Sequence, residues 1–390
     1  MRMGQAWRGD GGRWLLPAAL LCSFFLREVA AQTPAPAVLL TLDSPLQWQV
    51  FQRHSPRAGR VEVRGRALQA DQVEARWVGT AQPAPEWQRV PMAADGTFAA
   101  TLEVPAGGWY RCEVRALLGG QRLAEAAVGQ VGVGEVFVVA GQSNSANYGE
   151  QKLQPASGRV AAGSGQSWRE AIDPQPGAEG GGGSFLPPLG DALSARFGVP
   201  IGFVACGIGA TSVREWLPVG TLFPNPPTLT GRVRQLPDGR WESDGAAFCM
   251  LLERMKQSSP GGFRAVLWHQ GESDANQADA SRTLPGPLYR EYLTEIIRQS
   301  RQGMGREIPW FVAQATYHVP GDEASPDIRA AQAAIVADGT ALAGPDSDSL
   351  KGEWREAGGK GVHFSGPGLE QHARLWLEKI APWLEEQLKR

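Results

Sequence analysis

Four short polar segments of this 390-residue chain carry the residue types that nucleophilic acyl transfer requires. The first, Gly141-Gln142-Ser143-Asn144, ends the apolar run Val136-Phe137-Val138-Val139-Ala140. A serine hydroxyl attacks a carbonyl when a neighbouring base takes its proton, and a glycine just before it permits the tight turn that would present it. Taken alone, such a serine is more often the cap of a following helix. The second segment, Ala205-Cys206-Gly207-Ile208-Gly209-Ala210-Thr211-Ser212, allows close backbone approach, and the Gly207 N–H is a candidate donor to a developing oxyanion. The third, Trp268-His269-Gln270-Gly271-Glu272-Ser273-Asp274, is too polar for packing alone to explain. Its Gln270 amide is a second candidate oxyanion donor, and Glu272 is either a catalytic acid or a structural ion-pair partner for Arg214.

The fourth segment is Gly361-Val362-His363-Phe364-Ser365. An imidazole that titrates near neutral pH is the usual base for a serine, and a loop lets it reach across to another strand end. His54 lies in a β-rich region, His372 falls inside a helical pattern, and His318 sits in a strand-end loop with no flanking motif. His363 is therefore the expected base, with His318 in reserve. Trp216, within Arg214-Glu215-Trp216, offers a ring that could stack on a sugar beside an Arg214 contact, although packing is the competing role of a tryptophan.

These segments need elements that bring them to one place. Apolar strands are expected at 136–140, 200–205, 263–268 and 308–313, with amphipathic helices near 186–197, 245–257, 286–302, 325–338 and 366–388. Buried strands alternating with helices predict an α/β domain over 133–390, a parallel sheet covered on both faces, with its ligand site at the carboxyl ends of the strands. Residues 37–131 show short alternating runs such as Arg60-Val61-Glu62-Val63-Arg64, separated by turns at Ala94-Asp95-Gly96 and Pro105-Ala106-Gly107-Gly108. They predict a small all-β, immunoglobulin-like sandwich. The Gly/Ser-rich stretch 156–184 and the irregular stretch 218–245 read as loops that border the cleft or as surface insertions.

Residues 1–31 combine Arg2, Arg8 and Arg13 with an apolar run from Trp14 to Leu26 and small residues at Val29-Ala30-Ala31, the pattern of a secretory signal peptide. A secreted or periplasmic protein is expected, and no segment reaches the ~20 apolar residues of a membrane span. The formal net charge of −2 gives no reason to expect nucleic acid or an anionic membrane as partner. Past the signal sequence, Cys112, Cys206 and Cys249 show no metal-ligand spacing, so neither a metal nor another cofactor is expected. A Cys206–Cys249 disulfide and free thiols both remain open.

GQSN after the first strand, ACGIGATS, HQGESD and the late VHF together resemble the SGNH hydrolases, in particular the sialate O-acetylesterase and acetylxylan esterase branch, over nearly all of 133–390. The resemblance implies a flavodoxin-like three-layer fold and a carbohydrate O-acetylesterase acting on acetylated sialic acid or polysaccharide. It also implies that Ser143 is the nucleophile, that His363 is its base, and that the Ser143 and Gly207 N–H groups with the Gln270 side chain hold the oxyanion. One position departs from the pattern. Relatives carry an aspartate three residues before the histidine, where this chain has Lys360. The group orienting His363 is then Glu272, an upstream acid such as Asp346 or Asp348, or a backbone carbonyl in a Ser–His dyad. A carbohydrate-binding protein on a catalytically weakened scaffold is the alternative that Lys360 keeps open.

Overall fold

The computed structural model describes residues 39–79, 85–165, 167–258 and 262–389. The expected signal sequence lies outside them. The amino-terminal part is built from β1 (Leu40–Ser44), β2 (Val50–Gln52), β3 (Ala58–Ala67), β4 (Gln72–Val78), β5 (Gln88–Val90), β6 (Thr97–Pro105), β7 (Trp109–Leu118) and β8 (Gln121–Gly141). Strands β1-β3-β6 form one antiparallel sheet, and β5-β4-β7-β8 pair antiparallel in a second. Alternation explains the two faces. In β4, Val73, Ala75 and Trp77 are buried while the residues between them are partly exposed, and they share a core with Val61, Val63, Phe98 and Val114.

Strand β8 joins this β-rich part to the rest. It has 21 residues; its first half pairs with β7, and its second half is the centre of a parallel sheet. The domain boundary expected at 131–133 thus falls inside a continuous strand. At the crossing point the buried Glu135 carboxylate receives Arg53 Nε at 2.7 Å, Arg264 Nε at 2.6 Å and Gln52 Nε2 at 2.8 Å. Two arginines and an amide satisfy a charge that would otherwise be costly to bury.

Beyond β8 come β9 (Val160–Ser164), β10 (Ser167–Glu170), α1 (Leu186–Phe197), β11 (Ile201–Ala205), a small sheet of β12 (Leu222–Phe223), β13 (Val233–Gln235) and β14 (Trp241–Ser243), and α2 (Ala246–Gln257). Then follow β15 (Ala265–His269), α3 (Gly286–Met304), β16 (Trp310–Gln314), α4 (Pro326–Ala337), β17 (Leu342–Asp346), a short turn α5 (Glu356–Gly359) and α6 (Gly366–Lys389). The central order is β10-β9-β11-β8-β15-β16-β17, parallel except for β10 at its edge. Period-two alternation divides the buried strand residues between two cores. Val136, Val138, Val266 and Trp268 pack with α2, α3 and α4, whereas Phe137, Val139, Leu267 and Phe311 pack with α1 and α6. A mixed α/β fold with helices on both faces of a large sheet results.

The five expected helices are present, and α1 spans the expected residues. The two expected loops are corrected in part. The stretch 156–184 contains β9 and β10, because Val160, Ala161 and Ala162 are fully buried beside β11, and 218–245 contains the small β12–β14 sheet. Cys206 and Cys249 are free thiols, the first buried and the second exposed, so no disulfide joins them. No helix among the described residues is long and apolar enough to cross a membrane.

Candidate active site

Parallel register brings three of the polar segments to one edge. In β15, His269 pairs with Gly141 of β8, and the chain leaves β8 with Gln142 N–H donating to His269 O at 2.9 Å. Gly141 lies at φ +128°, and a Cβ there would stand 2.1 Å from His269 O, so only glycine fits this crossing. Ser143 follows in a three-residue 3₁₀ turn to Ser145, not at the start of an α-helix, and is 5% exposed. Gly207, at the end of β11, comes against the same turn; a Cβ on it would lie 2.5 Å from Ser145 Oγ. Among the described residues the N–H groups of Ser143 and Gly207 have no protein acceptor.

His363 comes from a different kind of structure. After β17 the chain doubles back through α5, where Ala357 and Gly358 sit at φ 52° and 66°. The reversal is closed by Glu356 N–H to His363 O at 2.9 Å and by His363 N–H to Glu356 Oε1 at 3.1 Å. The same carboxylate oxygen lies 2.7 Å from His363 Nδ1. Glu356 is therefore the acid that holds the imidazole, seven residues before it. That bond places a proton on Nδ1 and leaves Nε2 as the ring nitrogen with a free lone pair. Tyr148 stacks on the imidazole with centroids 5.3 Å apart and planes 27° from parallel.

Two buried side chains attach this loop to the strand ends. Asn144 Nδ2, next to the serine, donates to Glu272 Oε1 at 3.0 Å and to Val362 O at 3.3 Å. Arg355 is 2% exposed and gives Nε to Leu350 O at 2.6 Å, one terminal nitrogen to Val362 O at 2.7 Å and the other to Ser347 O at 2.8 Å. Its guanidinium also lies over the rings of Tyr317 and Phe364, and burial lowers its pKa to about 10.

Several expected roles are corrected by these contacts. Glu272 does not orient His363: its Oε1 receives Asn144 and stands 3.6 Å from His269 Nδ1. Nor does it pair with Arg214, which meets Asp274 at 3.3 Å and donates to the carbonyls of Asn225, Pro226 and Arg282. Arg214 is fully buried, a clamp on loops rather than a substrate contact. Trp216 is also fully buried, with Nε1 on Thr211 Oγ1 at 2.9 Å and its ring edge-on to Trp268, so it has no face for a sugar. Gln270 is buried away from the cleft, and its Nε2 is engaged by Asp274 Oδ2 at 2.6 Å and Thr211 O at 3.0 Å, which leaves no hydrogen for an oxyanion. Asp348 accepts from Thr316 and Tyr317, and both Asp346 and Asp348 pair with Arg329, so neither orients the histidine. His318 has Nδ1 at 2.6 Å from Asp322 and Nε2 at 2.6 Å from Glu272 O, so neither nitrogen is free to act as reserve base.

One amide was missed. Gln142 lines the cleft, and its Oε1 accepts from Ser273 N–H at 3.0 Å, Gly271 N–H at 3.3 Å and Gln270 Nε2 at 3.3 Å. Backbone N–H groups on one end identify that end as oxygen, so Nε2 is the end available to a ligand. The signal in the sequence was adjacency to Ser143; what it could not show was which of two glutamines faced inward.

Ser143 and His363 face one cleft of about 840 Å³. Both stretches first read as loops contribute to its wall: Glu179 from the first, Thr228 and Leu229 from the second. Glu179 Oε2 accepts the Gly209 N–H at 3.0 Å, and a Cβ on Gly209 would lie 2.4 Å from the Tyr148 hydroxyl. Burial depresses the pKa values of His269 and His372. Of the two histidines that line the cleft, His363 alone has an unengaged ring nitrogen among the described residues.

Among solved structures, a carbohydrate acetylesterase from Xanthomonas citri aligns at 18% identity with a TM-score of 0.53, covering 88% of this chain and 76% of that one, which supports a shared fold. A protein from Arabidopsis thaliana aligns at 18% identity and TM-score 0.44, over 64% of this chain and 98% of its own. A carbohydrate esterase family 2 enzyme with a carbohydrate binding domain, from Corynascus thermopiles (Myceliophthora fergusii), aligns at 11% identity and TM-score 0.37, over 89% and 99%. No curated protein matches the sequence. The family model described as carbohydrate esterase, sialic acid-specific acetylesterase matches residues 133–368, more than half of the chain and the whole of the segment that carries Ser143, Glu356 and His363. The chain belongs to this family of carbohydrate acetylesterases.

Proposed function

We propose that the protein is a serine esterase that removes acetyl groups from carbohydrates, with Ser143 as nucleophile, His363 as general base and Glu356 as the acid that orients it. The observation that carries this reading is the 2.7 Å contact between Glu356 Oε1 and His363 Nδ1, on a ring that shares its cleft with Ser143. In this reading Ser143 Oγ attacks the acetyl carbonyl carbon as its proton passes to His363 Nε2. The negative charge that appears on the carbonyl oxygen is held by the N–H groups of Ser143 and Gly207 and by Gln142 Nε2. Collapse breaks the bond to the sugar oxygen, which takes the proton back from His363 and leaves. Water then attacks the acetyl-serine, giving its proton to His363, and acetate departs as Ser143 recovers a hydrogen. Glu356 stabilises the imidazolium in both halves of the cycle.

Residues 1–31 have the pattern of an export signal, so we place the enzyme outside the cytoplasm, and we read the amino-terminal sandwich as an immunoglobulin-like module. The carbohydrate-binding alternative drew its support from Lys360; the Glu356–His363 pair removes that motive. Release of p-nitrophenol from p-nitrophenyl acetate tests the proposal. The protein should catalyse it, and Ser143→Ala should lower kcat by about 10⁴-fold or more. Absence of ester hydrolysis, or a Ser143→Ala variant as active as the parent, would overturn the reading.

A further inference from the structure

The walls of the cleft carry charge of one sign. Glu179, Glu272 and Glu356 all face it, and among the described residues no lysine or arginine does. Glu272 is 3% exposed, and its Oε2 has no hydrogen-bond partner among the described residues. The cations nearby are already committed. Arg232 lies 3.2 Å from Glu179 and 3.6 Å from the buried Glu215. Arg355 is buried behind the histidine loop with its N–H groups on backbone carbonyls. Lys360 is exposed and does not line the cleft. The two histidines of the wall are held by Asp322 and Glu356.

A substrate carboxylate entering this space would meet like charge with no cation to receive it, and like charges at short range in a partly desolvated site are strongly unfavourable. Sugar hydroxyls are donors and suit carboxylate acceptors. The rest of the wall suits a pyranose too: Leu229 and Val319, 39% and 42% exposed, provide apolar contact for C–H faces, and Tyr148 adds an aromatic edge.

We infer that the ester cleaved here belongs to an uncharged saccharide, such as an O-acetylated neutral oligosaccharide, and that anionic acetylated sialic acids are poor substrates. This rests on the serine-esterase reading above and narrows its substrate class. The recognising groups are the carboxylates of Glu179 and Glu272 and the apolar pair Leu229 and Val319.

Acetate release from O-acetylated xylo-oligosaccharides and from an O-acetylated sialic acid, each at low and high ionic strength, tests the inference, with p-nitrophenyl acetate as the control for an active enzyme. At low salt kcat/KM should favour the neutral sugar by about tenfold or more. The gap should narrow with added salt, since screening relieves repulsion on the anionic substrate alone. Glu179→Gln should raise the ratio of sialic acid to xylo-oligosaccharide hydrolysis. The inference is overturned, with the esterase reading intact, if p-nitrophenyl acetate is cleaved but the sialic acid ester reacts as fast as the neutral one. The same holds if its rate falls with salt and is lost in Lys360→Ala, or if neither sugar ester is cleaved. No hydrolysis of any of the three would bring down both readings.

Discussion

The two halves of the candidate site are held by different means. On the strand side, Gly141, Ser143 and Gly207 are placed by parallel pairing and by contacts so close that glycine is required. On the loop side, His363 is placed by side chains reaching for backbone: Arg355 to three carbonyls, Asn144 to Val362, and Glu356 to the imidazole and its own amide. The first is rigid because a sheet has one register. The second is only as rigid as a handful of polar bonds, and it can be taken apart one residue at a time.

The sharpest way to break that comparison is Glu356→Gln. The amide keeps the volume and one acceptor but no longer stabilises an imidazolium. A loss of kcat approaching about 10⁴-fold is expected, by analogy with a triad whose acid becomes an amide. Activity within a few fold of the parent would mean that the dyad suffices. Adding Lys360→Asp to that variant asks whether an acid three residues before the histidine, as relatives have it, can substitute. Partial recovery of kcat would show that the loop tolerates either geometry.

This contrast also explains what could be read from the sequence. The helices and the four strands 136–140, 200–205, 263–268 and 308–313 were legible because hydrophobic period and end signals are local. That Ser143 and Gly207 follow the ends of buried strands was legible for the same reason, while their expected roles came from the resemblance. Glu356 was not legible, because its pairing with His363 depends on a chain reversal through Ala357 and Gly358 at positive φ. The glycines at 358, 359 and 361 were the available sign of a tight return. Strands β9 and β10 hid in a Gly/Ser-rich stretch: β9 is buried by its neighbour β11 and not by its own composition, and β10 is a partly exposed edge strand paired to β9. From the sequence Gln270 was the expected amide donor and Gln142 was passed over; the register of β8 against β15 sends Gln270 inward to Asp274 and leaves Gln142 lining the cleft.

Arg355→Met should detach the loop side while sparing the sheet. Three charge-assisted bonds to buried carbonyls disappear, which predicts a loss of stability of about 4 kcal/mol in denaturant titration. It also predicts a fall in kcat, because Val362 next to the histidine loses the shorter of its two ties and keeps only Asn144. An unchanged denaturation midpoint would mean that Asn144 and the Glu356 reversal hold the loop without it. Gln142→Glu probes the strand side in turn. The carboxylate retains an acceptor for Gly271 and Ser273 but replaces the free amide donor with an oxygen. A drop in kcat of about 10²–10³-fold with Tm nearly preserved is expected for a lost oxyanion donor. If Gln142→Glu retains full turnover, the side-chain donor to the oxyanion must be sought elsewhere.

The smallest effect concerns pH and again separates the two sides. On the strand side Glu215 closes a capping box with Ser212, directly after the Gly-rich segment, and accepts the Ser212 N–H at 2.9 Å. It is fully buried, with Arg232 3.6 Å away, and burial raises its pKa to about 7 from 4.5. An acid whose pKa rises on folding binds a proton more tightly in the folded chain than in the unfolded one. Its contribution to stability is therefore complete below pH 4.5 and is lost as pH climbs through about 7. The full loss is no more than about 3 kcal/mol. Glu215→Gln keeps the cap acceptor and removes the titration, so the stability of the variant relative to the parent should increase between pH 4.5 and 7.5 and then level off. Thermal denaturation of both proteins across that range measures it. A difference in Tm that does not vary with pH would show that Glu215 stays ionised throughout, with Arg232 compensating its burial.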